Sequence, residues 1–434
     1  MTRTDRPDRH REQARTPHIA AAFALLTGAL LAGPAALPQA AAAADAPGPR
    51  TVPVINGDLA APAFTATGSG DKLAGWTVQY PYRLLPKDAG HPDGLPALLL
   101  RNKRAADQSV SQRLRGVRTG AKVTVTFDDR TGGTKSACSK DQTAKGQPYT
   151  LQGSGGAKQN FTTTPGSTDW HRGRSYTFTA GENEPLLTFA SVQTTGSWEC
   201  GPLIAKLRAD QVPPPVDKTV SKNRLPAPEA FEGNKRITAQ AAADHCAAAR
   251  NNCAFTVDKA YSYTYYDKAR VVGEAYLNCT RNSVQHDRTI TFGGRAYDNL
   301  SQSAGIARLS NPQDNLHQQF GTGFATTSAE PWRWTTSSNR TVRETVEAGE
   351  AAWVEAQAGR QRTDGWFTST TDDPDKQVRL HVVADGPSPL VPDRVYQRTG
   401  PRAPGERERC RSERPTASTP VDESAPAAAT DREG

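Results

Sequence analysis

The chain has 434 residues, 36% of them hydrophobic, and 53 Lys and Arg against 45 Asp and Glu give a formal net charge of +8. The basic residues are scattered and form no runs, which gives nucleic-acid binding little support. The 36 Gly and 32 Pro point to many short strands and turns, with one short amphipathic helix expected near Ala239–Ala249.

In chain order, Arg3, Arg6, Arg9, Arg11 and Arg15 form a basic start. An apolar run from Ile19 to Leu37 follows, then the small residues Ala40 to Ala44. This order reads as a secretory signal peptide over residues 1–44. Its removal leaves about +6, a mild basicity suited to an anionic wall or lipid surface. Residues 45–54 form a Pro-rich leader. From 55 to 210 the chain alternates: Val123, Val125 and Phe127 share one face of Lys122–Phe127, and Tyr176–Thr179 and Leu187–Ala190 repeat the pattern. Such period-two runs are half-buried strands. Residues 211–230, with Pro213, Pro214 and Pro215, read as an extended linker.

The first block opens with Ile55-Asn56-Gly57-Asp58 and Gly75-Trp76-Thr77-Val78 and closes with Cys200-Gly201-Pro202-Leu203-Ile204 through Arg208. This set resembles the galactose-binding-like jelly roll of secreted carbohydrate-binding modules. The resemblance implies a β-sandwich that binds carbohydrate or cell-wall polymer. Sugar rings stack on aromatic side chains, so Tyr80, Tyr82, Trp170 and Trp198 are the candidate binding residues, while Trp76 belongs to the core. Relatives of this kind often hold a structural calcium, for which Asp58 has the right place. Ala205 and Lys206 stand where further acidic ligands would be needed, so no metal is expected.

The second block spans 231–398. Tyr261, Tyr263 and Tyr265 alternate and share a strand face, either to meet a ligand or lipid or to form an internal ladder. Asn252–Thr256, Val271–Thr280, Trp332–Thr335, Val342–Glu355 and Gly365–Phe367 follow an order similar to secreted actinobacterial relatives of the aerolysin and epsilon-toxin superfamily. That resemblance implies an elongated β-rich domain and opens the possibility of membrane insertion. The pore-forming alternative needs a hairpin, for which Ser301–Ala307 and Phe320–Thr327 are the candidates, with Ser301, Ile306, Phe320 and Phe324 named and the turn near Arg308 and Asp314. Residues 399–434 lack apolar positions and read as a disordered tail.

Six cysteines in an exported chain read as disulfides. Cys138 and Cys200 stand alone in the first block and are expected to pair. Cys246, Cys253, Cys279 and Cys410 allow three pairings, of which Cys246 with Cys253 is short enough to form locally. No metalloprotease, hydrolase or phosphate-loop motif is present. Asp128, Asp129, Glu182, Glu184 and Glu199 single out no acid pair, and Asp372-Asp373-Pro374-Asp375 reads as a turn. The expectation is therefore an all-β, extracellular, noncatalytic binding protein without cofactor. Its partner is carbohydrate or cell-wall polymer, and a target membrane and an oligomer enter only if it forms pores. A polysaccharide-active enzyme is the remaining alternative.

Overall fold

The computed structural model describes residues 48–59, 73–79, 83–85, 90–100, 109–132, 138–192, 200–216, 218, 224–248 and 253–412. The expected signal peptide lies outside these. The protein is all-β with a few short helices.

The N-terminal half lays down β1 (Arg50–Val52), β2 (Thr77–Gln79), β3 (Arg83–Leu85), β4 (Ala97–Leu99), β5 (Ser109–Arg113) and β6 (Lys122–Thr131). After α1 (Lys140–Lys145) come β7 (Pro148–Gly153), β8 (Gln159–Thr162), β9 (His171–Thr179), β10 (Leu186–Ser191) and β11 (Pro202–Val212). One sheet runs β3-β4-β11-β6-β9 with β1 added to β11, and the other runs β2-β5-β10-β7-β8. Successive strands mostly alternate between the two sheets, which is jelly-roll connectivity. The alternating residues read from the sequence meet between them: Val123, Val125, Phe127, Tyr176, Phe178, Leu187 and Phe189 are buried in one core with Trp76. Arg50–Val52 of the expected leader is not loose. It pairs with Ala209–Gln211 as an added antiparallel strand, so its backbone groups find partners in the sheet.

The C-terminal half contains β12 (Ala230–Glu232), β13 (Lys235–Ile237), α2 (Ala239–Ala247), β14 (Cys253–Val257), β15 (Tyr263–Tyr266), β16 (Arg270–Leu277), β17 (Val284–Arg295) and β18 (Tyr297–Asp298). It continues with α3 (Asn299–Ala304), α4 (Asn315–Ser328), β19 (Thr335–Val346), β20 (Glu350–Gln357), β21 (Gly359–Ser369), β22 (Val378–Pro387), β23 (Arg394–Pro401) and α5 (Pro404–Ser412). β12, β13, β14, β15, β18, β21 and β22 form one sheet. The helices α2, α3 and α4 contribute Ala243, Leu300, Leu316, Phe320 and Phe324 to its core beside Phe255, Phe367 and Leu380. A three-stranded sheet, β16-β20-β23, packs against the two-stranded ribbon β17-β19 around Ile290, Phe292, Val342 and Val354.

The expected membrane hairpin is helical. Asp314 caps α4 by accepting the Leu316 N–H at 2.9 Å. Leu316, Phe320 and Phe324 then fall on one face at a stride of four and are buried. The hydroxyls of Thr322, Thr326, Thr327 and Ser328 return to carbonyls four residues back, so the Ser/Thr-rich composition suits the helix too. A Cβ at Gly323 would stand 2.1 Å from the Phe255 carbonyl oxygen, and its absence lets α4 lie on β14. Ser301 lies in the first turn of α3, capped by Asp298, and Ile306 is buried in the same core. Arg308 holds Asp244 at 2.7 Å in α2 rather than marking a hairpin tip.

Cys138 pairs with Cys200, as expected, and Cys246 pairs with Cys253. Cys279 pairs with Cys410. The start of the expected disordered tail is therefore ordered: Arg394–Pro401 pairs along β20, and the disulfide ties α5 to the end of β16. Residues 413–434 lie outside the described residues.

The two halves are docked. Phe231 is fully buried, with the guanidinium of Arg113 4.4 Å from its ring centroid and those of Arg236 and Arg379 at 5.7 and 5.8 Å. Arg118, from the turn before β6, donates to Asp258 at 2.8 Å and to Asp364, and lies 2.7 Å from His381 Nε2. Burial pushes the Asp364 carboxyl up, but His381 and Arg118 outweigh it and hold it below the usual carboxylate range. A depressed carboxylate stabilises the fold above its unfolded pKa and loses that contribution as pH falls through its folded value, here below about pH 4. The urea midpoint should drop between pH 5 and 3, and Asp364→Asn should shrink that drop. An identical drop in the variant would show that Asp364 does not couple docking to pH.

Candidate functional site

Tyr80, Tyr82 and Trp198 lie outside the described residues. Trp76 is core, with its Nε1 donating to the Ile55 carbonyl at 3.1 Å. Trp170 is half-buried. It packs on a small apolar patch of Ala97, Leu99, Leu203 and Ala205, which face away from the main core while Leu98 and Ile204 face into it. His91 meets Trp170 edge-on at 4.7 Å, and the Arg130 guanidinium lies 5.2 Å from its ring. Trp170 is therefore a wedged ring and not the freely exposed platform that stacking alone would ask for. The tyrosine stripe is half-buried and engaged within the protein: Tyr265 donates to Asp385 at 2.7 Å, and Tyr261 lies under Arg118 at 4.6 Å.

Two irregularities build the polar setting of Trp170. The pairing of β6 with β9 shifts between Phe127 and Asp129. Bulges of this kind re-aim side chains, and here the two adjacent carboxylates make separate sets of bonds. Asp129 accepts from Tyr149 at 2.6 Å and from Arg174 at 3.1 Å. Burial, reinforced by Asp129, pushes the Tyr149 hydroxyl far up, so it stays a donor. Asp128 accepts the Gly173 N–H at 2.8 Å and lies 3.0 Å from His91 Nε2. Since the Asp93 N–H donates to His91 Nδ1 at 3.1 Å, the ring proton sits on Nε2 and points at Asp128. The second shift lies in β11 between Ala205 and Arg208, with Lys206 in the left-handed region at φ 54°. Lys206 pairs with Asp93, which Arg172 also reaches at 3.2 Å. The hydrogen bond from Lys206 is the main reason the Asp93 carboxyl lies below its usual range.

Beside this cluster the outer face of the β1-β11-β6-β9 sheet is polar. Strand register places Thr51, Asp210, Thr124 and Thr177 in one row across it, and Arg208, Thr126 and Ser175 in a second. Neighbouring strands lie about 4.8 Å apart, so donors and acceptors repeat at that spacing on a rigid support. Thr124 and Thr177 are in hydrogen-bond contact at 3.1 Å. Thr51, Ser175, Thr177, Arg208 and Asp210 are exposed. Farther along the strands on this side, Trp170 and Arg172 lie toward the start of β9, and Lys206, paired with Asp93, lies earlier in β11.

No family model matches this chain, and no curated protein does. Among solved structures, it is similar to the C-terminal CBM6 of LamC, a laminarinase from Zobellia galactanivorans, at 9% identity and a TM-score of 0.22, covering 38% of this chain and 99% of that one. The CBM22-1–CBM22-2 tandem of Paenibacillus barcinonensis Xyn10C matches at 9% identity and 0.24, covering 74% and 96%. The Bacillus thuringiensis toxin parasporin-2 matches at 11% identity and 0.17, covering 40% and 86%. Likenesses at this level carry no argument about ligand or activity.

The carboxylates weighed for catalysis lie apart from one another's work. Asp128 and Asp129 are buried and bonded as above. Glu182 and Glu184 pair with Arg113 and Arg379 at the docked interface. Asp375 accepts the Gly75 N–H there at 3.2 Å, and Glu199 lies outside the described residues. Sequence reading missed Asp93, His91 and Arg172, and named Lys206 only as a residue that argues against calcium. It already contained Thr124 and Thr177 as the polar partners in the alternating strands, but the register that sets them side by side is a long-range property.

Proposed function

We propose that this protein is an exported, noncatalytic binder of a carbohydrate polymer of a cell wall or cell surface. The observation that carries the reading is the open polar sheet face, with two rows of polar residues across its strands and the half-buried Trp170 beyond them before the start of β9. Hydroxyls and charged groups on a rigid sheet can bond successive sugar hydroxyls, and the indole edge offers an apolar contact at one end. Disulfides between Cys138 and Cys200, Cys246 and Cys253, and Cys279 and Cys410 suit an oxidising compartment.

The test uses the mature protein and a panel of insoluble and soluble polysaccharides, with Arg208→Ala/Asp210→Ala as the variant. Both side chains are exposed and lie on the sheet face, so stability should change by no more than about 0.5 kcal/mol each. Losing two charge-assisted hydrogen bonds should weaken binding about tenfold or more. Equal retention of variant and wild type would remove this face from the reading. Retention on no polymer would remove the reading itself.

Pore formation draws less support. Its hairpin candidate is the helical pair above. The remaining amphipathic ribbon, β17-β19, carries His286, Arg288, Arg340 and Glu344 on the same side as Ile290, Phe292 and Val342. Each Arg turned to lipid at mid-depth costs about 2–4 kcal/mol. Dye release from liposomes would restore the pore-forming alternative.

A further inference from the structure

The C-terminal half contains a second feature unrelated to the sheet face. A cleft of roughly 200 Å³ opens where the start of β16, the end of β17, β18 and the start of β21 meet. It is smaller than the ~300 Å³ at which drug-sized ligand pockets begin. It suits a compact group and not an extended sugar. Arg270 and Arg295 stand at its exposed rim, Arg360 at its buried floor, and Tyr297 and Asp267 complete the wall.

Arginine predominates in the lining: Arg270, Arg295 and Arg360 stand there with one acidic residue, Asp267. Arg360 is 2% exposed and gives Nε to Asp385 Oδ1 at 2.8 Å. Asp385 is shared, however: Arg362 donates to its other oxygen at 3.1 Å, as does Tyr265 at 2.7 Å. One carboxylate therefore stands between two buried guanidiniums. Arg270 and Arg295 add two positive charges at the rim, and Asp267 removes one. The cleft is cationic, with a low-dielectric floor that strengthens attraction to an anion. Arg295 lies 5.3 Å from the Tyr297 ring centroid and Arg360 lies 5.9 Å from it, so one ring steadies two of the three cations.

Gly294 shows why the cleft is open. Its neighbour Gly293 is fixed by packing, since a Cβ there would lie 2.0 Å from the Thr336 carbonyl oxygen. At Gly294 a Cβ would meet Arg360 Nη1 and Pro387 at 3.4 Å and the Thr336 hydroxyl at 3.9 Å, which are ordinary or nearly ordinary contacts. The backbone there is ordinary strand, so neither packing nor conformation demands glycine. A glycine inside a strand costs about 0.5–1 kcal/mol relative to alanine and often marks the close approach of a ligand. Any longer side chain at 294 would cover the Arg360 nitrogen that faces the cleft.

We infer that this cleft binds a phosphate group. A phosphate oxyanion matches the planar, multi-donor guanidinium better than a single ammonium would. Two sources share the chemistry: a soluble or polymeric glycerol phosphate, and a phospholipid headgroup. Calorimetric titration of the full mature protein with inorganic phosphate and with glycerol 3-phosphate, at constant ionic strength set by chloride, should give saturable binding. Arg270→Gln/Arg295→Gln should weaken it at least tenfold, with an unchanged far-UV spectrum, since both residues are exposed. Gly294→Leu gives an independent block that leaves the charge in place and should also weaken binding. Cosedimentation with phosphatidylglycerol vesicles, absent with phosphatidylcholine and lost in the double variant, would assign the lipid source; glycerol 3-phosphate binding without vesicle binding would assign the soluble or polymeric one. Failure of both phosphates to bind, or equal binding by the wild type and both variants, overturns the inference. None of these outcomes depends on polysaccharide retention by the N-terminal sheet face.

Discussion

Asp385→Asn is expected to cost about 3–5 kcal/mol, the range for breaking a buried ion pair from one side. Asp385 is fully buried and accepts from Arg360, Arg362 and Tyr265. The register explains the convergence: Asp385 of β22 stands opposite Arg362 of β21, and Arg360 lies two residues along on the same face beside Tyr265 of β15. Asparagine keeps the shape and removes the charge, so two buried guanidiniums lose the carboxylate they share. In the wild type burial, and then Asp385 beside it, pushes the Tyr265 hydroxyl up, so it serves as a donor to Asp385. Marginal stability is about 5–15 kcal/mol for a domain, so the variant should unfold at a much lower urea concentration. Equilibrium unfolding followed by tryptophan fluorescence measures it. A loss below about 1 kcal/mol would mean that water, and not Asp385, balances the two arginines.

That cluster marks where sequence reading stops. Arg360, Arg362 and Asp364 alternate in β21 like the charged row of a solvent-facing strand, yet all three are buried. What buries them is chain far away in sequence: Asp385 and Tyr265 for the first two, Arg118 and His381 for the third. The jelly-roll strands were legible because each carries its own evidence. Val123, Val125 and Phe127 report their burial through spacing alone. Cys138 and Cys200 were legible by elimination. Phe320 and Phe324 were ambiguous, because a separation of four fits one face of a strand and one face of a helix. The local capping by Asp314 decides for the helix, and that residue had been placed at a turn. Trp170 was found by residue type, but its setting was not. Lys206 supplies no oxygen for a calcium and pairs instead with Asp93.

The docked interface rests on a second buried pair. Arg379 in β22 gives Nε and Nη2 to Glu184 Oε2 at 2.9 and 2.7 Å, and Nη2 also reaches the Gly233 carbonyl at 3.0 Å. Both residues are almost fully buried, at 3% and 2% exposure. Glu184 is held at φ 48°, a left-handed conformation that a glutamate adopts only when its surroundings fix it. Arg379→Met should cost about 3–5 kcal/mol, because it removes both donors to the buried Glu184 carboxylate. Glu184→Gln should cost a similar amount by stranding the guanidinium. The double variant decides between a mere packing loss and a true pair. If the charges depend on each other, the double variant should lose less than the two singles together by about 0.5–3 kcal/mol, since methionine and glutamine leave no buried charge. Strict additivity would mean that the halves are held by Phe231 and its surrounding arginines, with the ion pair contributing only shape. A rise in the emission of Trp366, whose ring lies 6.1 Å from Phe231, would report whether undocking accompanies the loss or whether the whole chain unfolds at once.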